Sequence, residues 1–541
     1  MRQIETYLFG GTPLLLLSCI IACSSGSATL EMTNASVADI TGPNANINVS
    51  NDSTAAYCET SVAVVPSQYC VLHNCMPSEN VVIGYNKVTA PPAQGWGVST
   101  NLGTSYVAHQ SDDTNPTYAW PTSITFPDNS TLSGYISDPT VVATGHLNQV
   151  AFTTIALTNA NDTYVVLVLS TDGGHTFAKT LVVSDSYGSK VDQPIAAADT
   201  TTGDVYVSWR NNFTNTLVRR VHINGSGNFY PAPDPIQDIS NNFAVDTSNY
   251  GNMAMAVQGG VRRSDGTYTN VYFAYPNRYG DVALDFNNIS DCSQVSNIWD
   301  FSIDTIWYLT TASVSSTGGW TWGSSNQIYE DGNFPDCTMP YQIQSGNRNR
   351  PQIAYVGGAT PRIAVLVSVS QTKMGDNDPS HTGTRAILRE SSDGVNWDYN
   401  IPVCGQYTDY NVLVNGQLPS NEPYCMQFGA SLAYFVGNSN SPIAWAWHDT
   451  RDGTDGLHVS MWGTSINAGP VYDNKNSARL TALGNGVPWV QGLSCNETAW
   501  GGYEGMAGDA AGGGFYAAWG DSRITFPTKY TQVFTENFLP P

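Results

Sequence analysis

The sequence predicts an all-β chain: a seven-bladed β-propeller of four-stranded antiparallel blades, with six blades as the alternative count. Three observations lead there. Short alternating apolar–polar runs fill the chain, and no long stretch keeps a 3.6-residue period. One unit recurs: a Pro- or Gly-led apolar strand, a turn, then a strand that ends in an aromatic. A tight Ser/Asp/Gly turn recurs in register with that unit. Units of four short strands with such turns match propeller blades better than a sandwich.

The seven unit starts follow in order. They are Ser61-Val62-Ala63-Val64-Val65, Pro139-Thr140-Val141-Val142, Pro194-Ile195-Ala196-Ala197, Met253-Ala254-Met255-Ala256, Pro351-Gln352-Ile353-Ala354, Gly429-Ala430-Ser431-Leu432 and Gly505-Met506-Ala507. Each is followed by a second strand, as in Asp204-Val205-Tyr206-Val207-Ser208-Trp209 and Ile443-Ala444-Trp445-Ala446-Trp447. The starts lie 55 to 98 residues apart, with the longest interval in the fourth unit. The last unit lacks room for a fourth strand after Tyr530–Thr535. The alternating stretch Asn46-Ile47-Asn48-Val49-Ser50 is placed to supply it, closing the ring and protecting sheet edges.

The recurring turn is clearest in Ser170-Thr171-Asp172-Gly173-Gly174-His175-Thr176-Phe177. Its logic is that of a tight hairpin: the Asp accepts from turn amides, glycine permits positive φ, and the aromatic plugs the gap between strands. Ser315–Trp322 repeats it with Thr317 in place of Asp, Ser391–Trp397 shortens it, and Ser99–Tyr106 is degenerate. These turns resemble the Asp-box, and residues 58–541 resemble the sialidase-like, Asp-box (BNR-repeat) propeller superfamily. Trp447-His448-Asp449-Thr450-Arg451, Trp519-Gly520-Asp521-Ser522-Arg523 and Gly502-Tyr503-Glu504-Gly505-Met506-Ala507 resemble segments of bacterial members. The resemblance implies action on glycans at the ring face opposite the Asp-boxes. One departure matters. The early Phe/Tyr-Arg-Ile-Pro motif of true sialidases is absent, and no Arg lies between Arg2 and Arg210.

The ends and the charge set the setting. An apolar run from Leu14 to Ala22 leads to Cys23, too short for a mature span. Ile20-Ile21-Ala22-Cys23 resembles the bacterial lipoprotein signal. The reading is a signal peptide over residues 1–22, a lipidated tether and ring-closing strand over 23–57, and the propeller over 58–541. An ordinary secretory signal is the alternative. Ten Cys less Cys19 and Cys23 leave an even eight, which in an exported chain suggests disulfides. Proximity favours Cys70–Cys75, Cys404–Cys425 and Cys292–Cys337, leaving Cys58–Cys495. No Cys-x-x-Cys or His cluster points to a metal, and no motif points to a cofactor. A net charge of −23 argues against nucleic acid and against a basic membrane-binding patch. Membrane contact is expected only through lipid at Cys23.

Candidate site residues come from the topology. First-strand starts and second-strand ends collect on the face opposite the turns. They place Asp138, Asp192, Arg350, Tyr503 and Glu504 near the axis, with Arg210, Arg278, Asp449, Arg451, Asp521 and Arg523 further out. Glu504, Asp138 and Asp192, with Tyr503 nearby, are the candidate acid/base groups of a glycoside hydrolase. The arginines suit bidentate capture of a sugar carboxylate or sulfate. The Trp-x-Asp-x-Arg endings also read as corner ion pairs, and Asp138 and Asp192 as turn formers ahead of a proline. The competing functions are a non-catalytic glycan- or protein-binding propeller and an acidic-polysaccharide lyase using a His or Tyr base. His146, in a first-to-second-strand turn, falls on the wrong face for the latter.

Overall fold

The computed structural model describes residues 46–52, 55–71, 74–88, 91–185, 190–211, 215–230, 233–240, 253–279, 304–331, 351–357, 361–371, 383–397, 401–402, 427–434, 443–449, 458–466, 478–480, 487–488, 505–508, 514–521 and 532–538. All of them belong to the compact unit Asp39–Pro541. No α-helix occurs among the described residues. Seven small antiparallel sheets form a seven-bladed propeller, so the six-bladed alternative falls. The first strands of blades 1 to 7 are Tyr57–Val71, Leu132–Ala143, Val191–Asp199, Ala254–Arg263, Gln352–Val356, Gln427–Tyr434 and Gly505–Gly508. Blades 1 to 6 pair their strands in chain order, and blade 6 adds a two-residue strand, Val487–Pro488, to its third strand His458–Ile466.

Blade 7 takes only three strands from the C-terminal end. Ile47–Asn48 supplies the fourth, pairing Ile47 with Thr535 and Asn48 with Phe534. Val49 N donates to Val533 O at 2.8 Å, and Ser50 Oγ donates to Gln532 Oε1 at 2.9 Å, extending the seam. This joins two segments nearly 500 residues apart in sequence, an entropic cost that grows only slowly with loop length.

Among the described residues seven apolar clusters form, and each lies between two neighbouring blades. This explains the strand composition. A strand inside a blade is covered on both faces, so it reads as a continuous apolar run rather than an alternation. Thr163–Ser170 of blade 2, Thr-Tyr-Val-Val-Leu-Val-Leu-Ser, is buried from Tyr164 to Ser170. The aromatic that ends the second strand fills the wedge between blades: Trp209, Trp445, Trp447 and Trp519 are all essentially inaccessible.

The four recurring turns fold alike, at the junction of the third and fourth strands. Ser170 Oγ donates to Asp172 Oδ1 at 2.7 Å and accepts from Gly174 N at 2.9 Å. Thr176 closes the loop through N (2.9 Å) and Oγ1 (2.6 Å) to the Asp172 carboxylate. Asn101 plays the Asp part in blade 1 and Asp393 in blade 5. Backbone N–H groups of Asn396 and Val395 hold the Asp393 carboxyl well below the usual range. Each turn also docks on the preceding blade. Trp96 Nε1 of blade 1 donates to Gly174 O at 2.9 Å, and Asn80 Nδ2 donates to Gly173 O at 3.0 Å. A Cβ at Gly173 (φ 78°) would meet Asn80 Nδ2 at 2.2 Å, so this contact demands glycine twice over. Phe177 plugs the same interface, edge-on to Trp96 at 5.3 Å.

Candidate functional site

The site begins with an irregularity that the strands share. Where the first strand enters from the face opposite the recurring turns, three consecutive blades break register. The breaks fall between Cys58 and Thr60, between Ser137 and Thr140, and between Asp192 and Ile195. Each break holds a polar residue in the left-handed region: Glu59 at φ 52°, Asp138 at 57° and Gln193 at 50°. Such conformations cost about 1–3 kcal/mol each for non-glycine residues and gather at functional positions. Blade 6 breaks register at the equivalent place, between Phe428 and Ser431.

Beyond the bulges, hydroxyls stitch neighbouring blades at the axis. Thr60 Oγ1 accepts from Gly505 N of blade 7 at 2.8 Å and donates to Ala518 O at 2.6 Å. Ser61 Oγ accepts from Val141 N of blade 2 at 2.9 Å. Thr140 Oγ1 donates to Pro194 O of blade 3 at 3.1 Å. They rim an axial cavity of about 170 Å³ to which all seven blades contribute, among them Ile195, Met253, Ile353 and Leu432. The bore is narrow and lined by both polar and apolar groups.

The predicted residues fall as follows. Asp138 sits at the mouth, on the bulge of blade 2, and is only 6% exposed. Asp192 lies opposite Arg210 in the register of blade 3, and its Oδ2 is 3.9 Å from Arg210 Nη1. These two expected site residues therefore pair within one blade. Arg278, Asp449 and Asp521 lie at the ends of second strands, opposite Thr305, Ser460 and Gln532. Tyr503, Glu504, Arg350, Arg451 and Arg523 lie outside the described residues, as does Cys23. Of the expected disulfide partners, Cys58 is buried and disulfide-bonded, and the hairpin register sets Cys70 opposite Cys75.

Sequence reasoning named no site residue in blade 1. Glu59 accepts from Asn86 Nδ2, and Asn86 Oδ1 accepts from Gln94 Nε2 at 3.0 Å. Beside it, Tyr57 donates to Asp52, Gln110 Nε2 donates to Tyr57 Oη at 2.8 Å, and Lys87 Nζ donates to Gln110 Oε1 at 2.9 Å. Burial, reinforced by Asp52, pushes the Tyr57 hydroxyl far above its ordinary pKa, so it remains a donor. A signal was present. Glu59, Asp138 and Glu504 are each an acidic residue one or two positions ahead of a unit start read from the sequence, Ser61, Pro139 and Gly505.

No family model matches the chain, and no curated protein matches it. Solved structures resemble it remotely. A triple-arginine mutant of AofleA from Arthrobotrys oligospora shares 9% identity over 79% of this chain and 87% of its own, with a TM-score of 0.35. The neuraminidase-like protein of the strain A/little yellow-shouldered bat/Guatemala shares 8% over 76% and 95%, with a TM-score of 0.33. The β-propeller domain of the Trilobed protease from Pyrococcus furiosus shares 7% over 88% and 97%, with a TM-score of 0.32.

Proposed function

We propose that this chain is a glycan-acting propeller whose ligand sits at the mouth of the axial cavity. The observation that carries the reading is the triple bulge. Three neighbouring blades spend backbone strain at one height to present Glu59, Asp138 and Gln193, on a rim otherwise built of hydroxyls. Carboxylates, amides and hydroxyls are the groups that match sugar hydroxyls. In the hydrolytic form, one carboxyl protonates the glycosidic oxygen while a second, about 5 Å or about 6.5–9.5 Å away, attacks or activates water. Asp138 and Glu504 are assigned those roles. Asp192 is assigned to positioning Arg210 against an acidic sugar, because the two already pair.

A second reading, binding without hydrolysis, is favoured by one observation: Asp138 is 6% exposed, which suits a residue that shapes the rim. The test is turnover of sialylated, sulfated and uronic-acid glycans by the soluble domain, repeated with Asp138→Asn and Glu504→Gln. Hydrolysis predicts a loss of about 10²–10⁴-fold in both variants at unchanged thermal stability. Binding alone predicts weakened affinity and no turnover in any form. Neither turnover nor binding would refute the site. We further propose export with a lipid at Cys23, and an intact mass showing an unmodified N-terminus elsewhere would refute it.

A further inference from the structure

We propose a second sugar-binding site, in the groove between the outer edges of blades 4 and 5, far along the sheets from the axial cavity. The groove has a volume of about 430 Å³ and is lined by Gln327, Ile328 and Tyr329 from the fourth strand of blade 4, Trp320–Asp331, and by Arg389, Asn396 and Trp397 from blade 5. That volume lies in the range of small-molecule sites, yet the groove is wide open, which suits a ligand that keeps one side in water.

Its chemistry is that of pyranose recognition. Tyr329 and Trp397 each pack against the apolar layer between blades 4 and 5, which fixes their rings while they border the groove. Rigid aromatic faces offer apolar area at little entropic cost. Arg389 stands over the Tyr329 ring, 5.9 Å from its centre, and its Nη2 donates to Trp397 O at 3.2 Å, so the cation braces the two aromatic walls. Asn396 commits its Nδ2 to Asp393 Oδ2 at 2.8 Å, which leaves its amide oxygen to accept from a ligand. Gln327 is exposed and carries both a donor and an acceptor. Two aromatic side chains with amides at the rim match the C–H groups and the vicinal hydroxyls of a sugar ring. The ligand class is a neutral hexopyranose. The groove's one guanidinium is already engaged by Trp397 O and the Tyr329 ring, which leaves no cation for a sugar carboxylate. The site stands on its own residues and does not depend on the axial reading.

The test is saturation-transfer NMR on the full chain with methyl β-glucopyranoside, methyl β-galactopyranoside and methyl α-mannopyranoside, each against methyl β-glucuronide. At least one neutral glycoside should receive saturation, strongest at its ring C–H protons. Gln327→Ala and Tyr329→Ala should each weaken that binding by about ten-fold. Gln327 is exposed, so its variant folds even if loss of Tyr329 disturbs the inter-blade layer. No transfer to any neutral glycoside overturns the proposal, as does undiminished transfer in Gln327→Ala. A preference for the glucuronide would overturn the neutral assignment.

Discussion

The two faces of the ring are built on different rules. On the face of the recurring turns, each loop is a local device: seven or eight consecutive residues satisfy one another's donors and acceptors, then dock on the preceding blade. On the opposite face the stitching runs between blades. Thr60, Ser61 and Thr140 bond to other blades, and the polar rim exists only because separate strands bulge at one height. A face made of self-contained turns is robust and repetitive. A face assembled from several blades can gather unlike groups around one point, which is what a ligand site needs.

The sharpest way to break the contrast is to cut a turn from its neighbour. Trp96 is fully buried, holds Gly174 O and meets Phe177 and Trp120. Trp96→Ala should cost about 3–5 kcal/mol, read as a large fall in the chemical-denaturation midpoint. A smaller effect separates the turns themselves. Asp172 bonds Ser170 and twice Thr176, whereas Thr317 exchanges only with Ser315 at 3.0 Å. Asp172→Ala should destabilise by about 1 kcal/mol, and Thr317→Asp should stabilise by about 0.5 kcal/mol. An equal loss from Asp172→Ala and Thr317→Ala would show that the carboxylate adds nothing to the fold.

At the mouth, Asp192→Asn should change stability by less than about 1 kcal/mol, because its ion pair with Arg210 is long and partly exposed. A larger loss would make the pair a structural corner and strengthen the case against a ligand role. The smallest effect is one of pH. His109 stacks on Tyr118 at 4.0 Å and lies 5.3 Å from Trp96. Burial lowers its pKa, and Asp113 only partly opposes the shift. Its folded pKa thus lies below the unfolded value, so its contribution is fully present above about pH 6.5 and is lost as pH falls through the folded pKa. The wild type should lose thermal stability between pH 7 and pH 5 relative to His109→Gln. Parallel profiles would remove His109 as the cause.

The same contrast explains what was legible. The recurring turns could be read residue by residue, because Ser170, Asp172, Gly173, Thr176 and Phe177 act within one loop, and the variants at Asn101 and Thr317 keep its geometry. Asp138 and Asp192 could be brought to the correct face, because strand order alone fixes which end of a strand lies there. Their surroundings could not be read. That Asp192 pairs with Arg210 depends on a register shift before Ile195, and a bulge has no sequence rule as firm as a glycine in a hairpin. Glu59 and its amide partners escaped notice because Asn86 and Gln94 meet it only across three strands.

By itself, the sequence determined the all-β class, the seven units, the turn chemistry and the need for an N-terminal strand. Each follows from period, local hydrogen bonding or chain length, all properties of neighbours along the chain. Only the tertiary structure decided the left-handed residues at the axial mouth, the hydroxyl stitching between blades and the aromatic groove at their outer edge. Those depend on how seven sheets pack through seven separate apolar layers. The height at which unlike strands meet is set by side-chain volumes in those layers, and no local stretch of sequence encodes that sum.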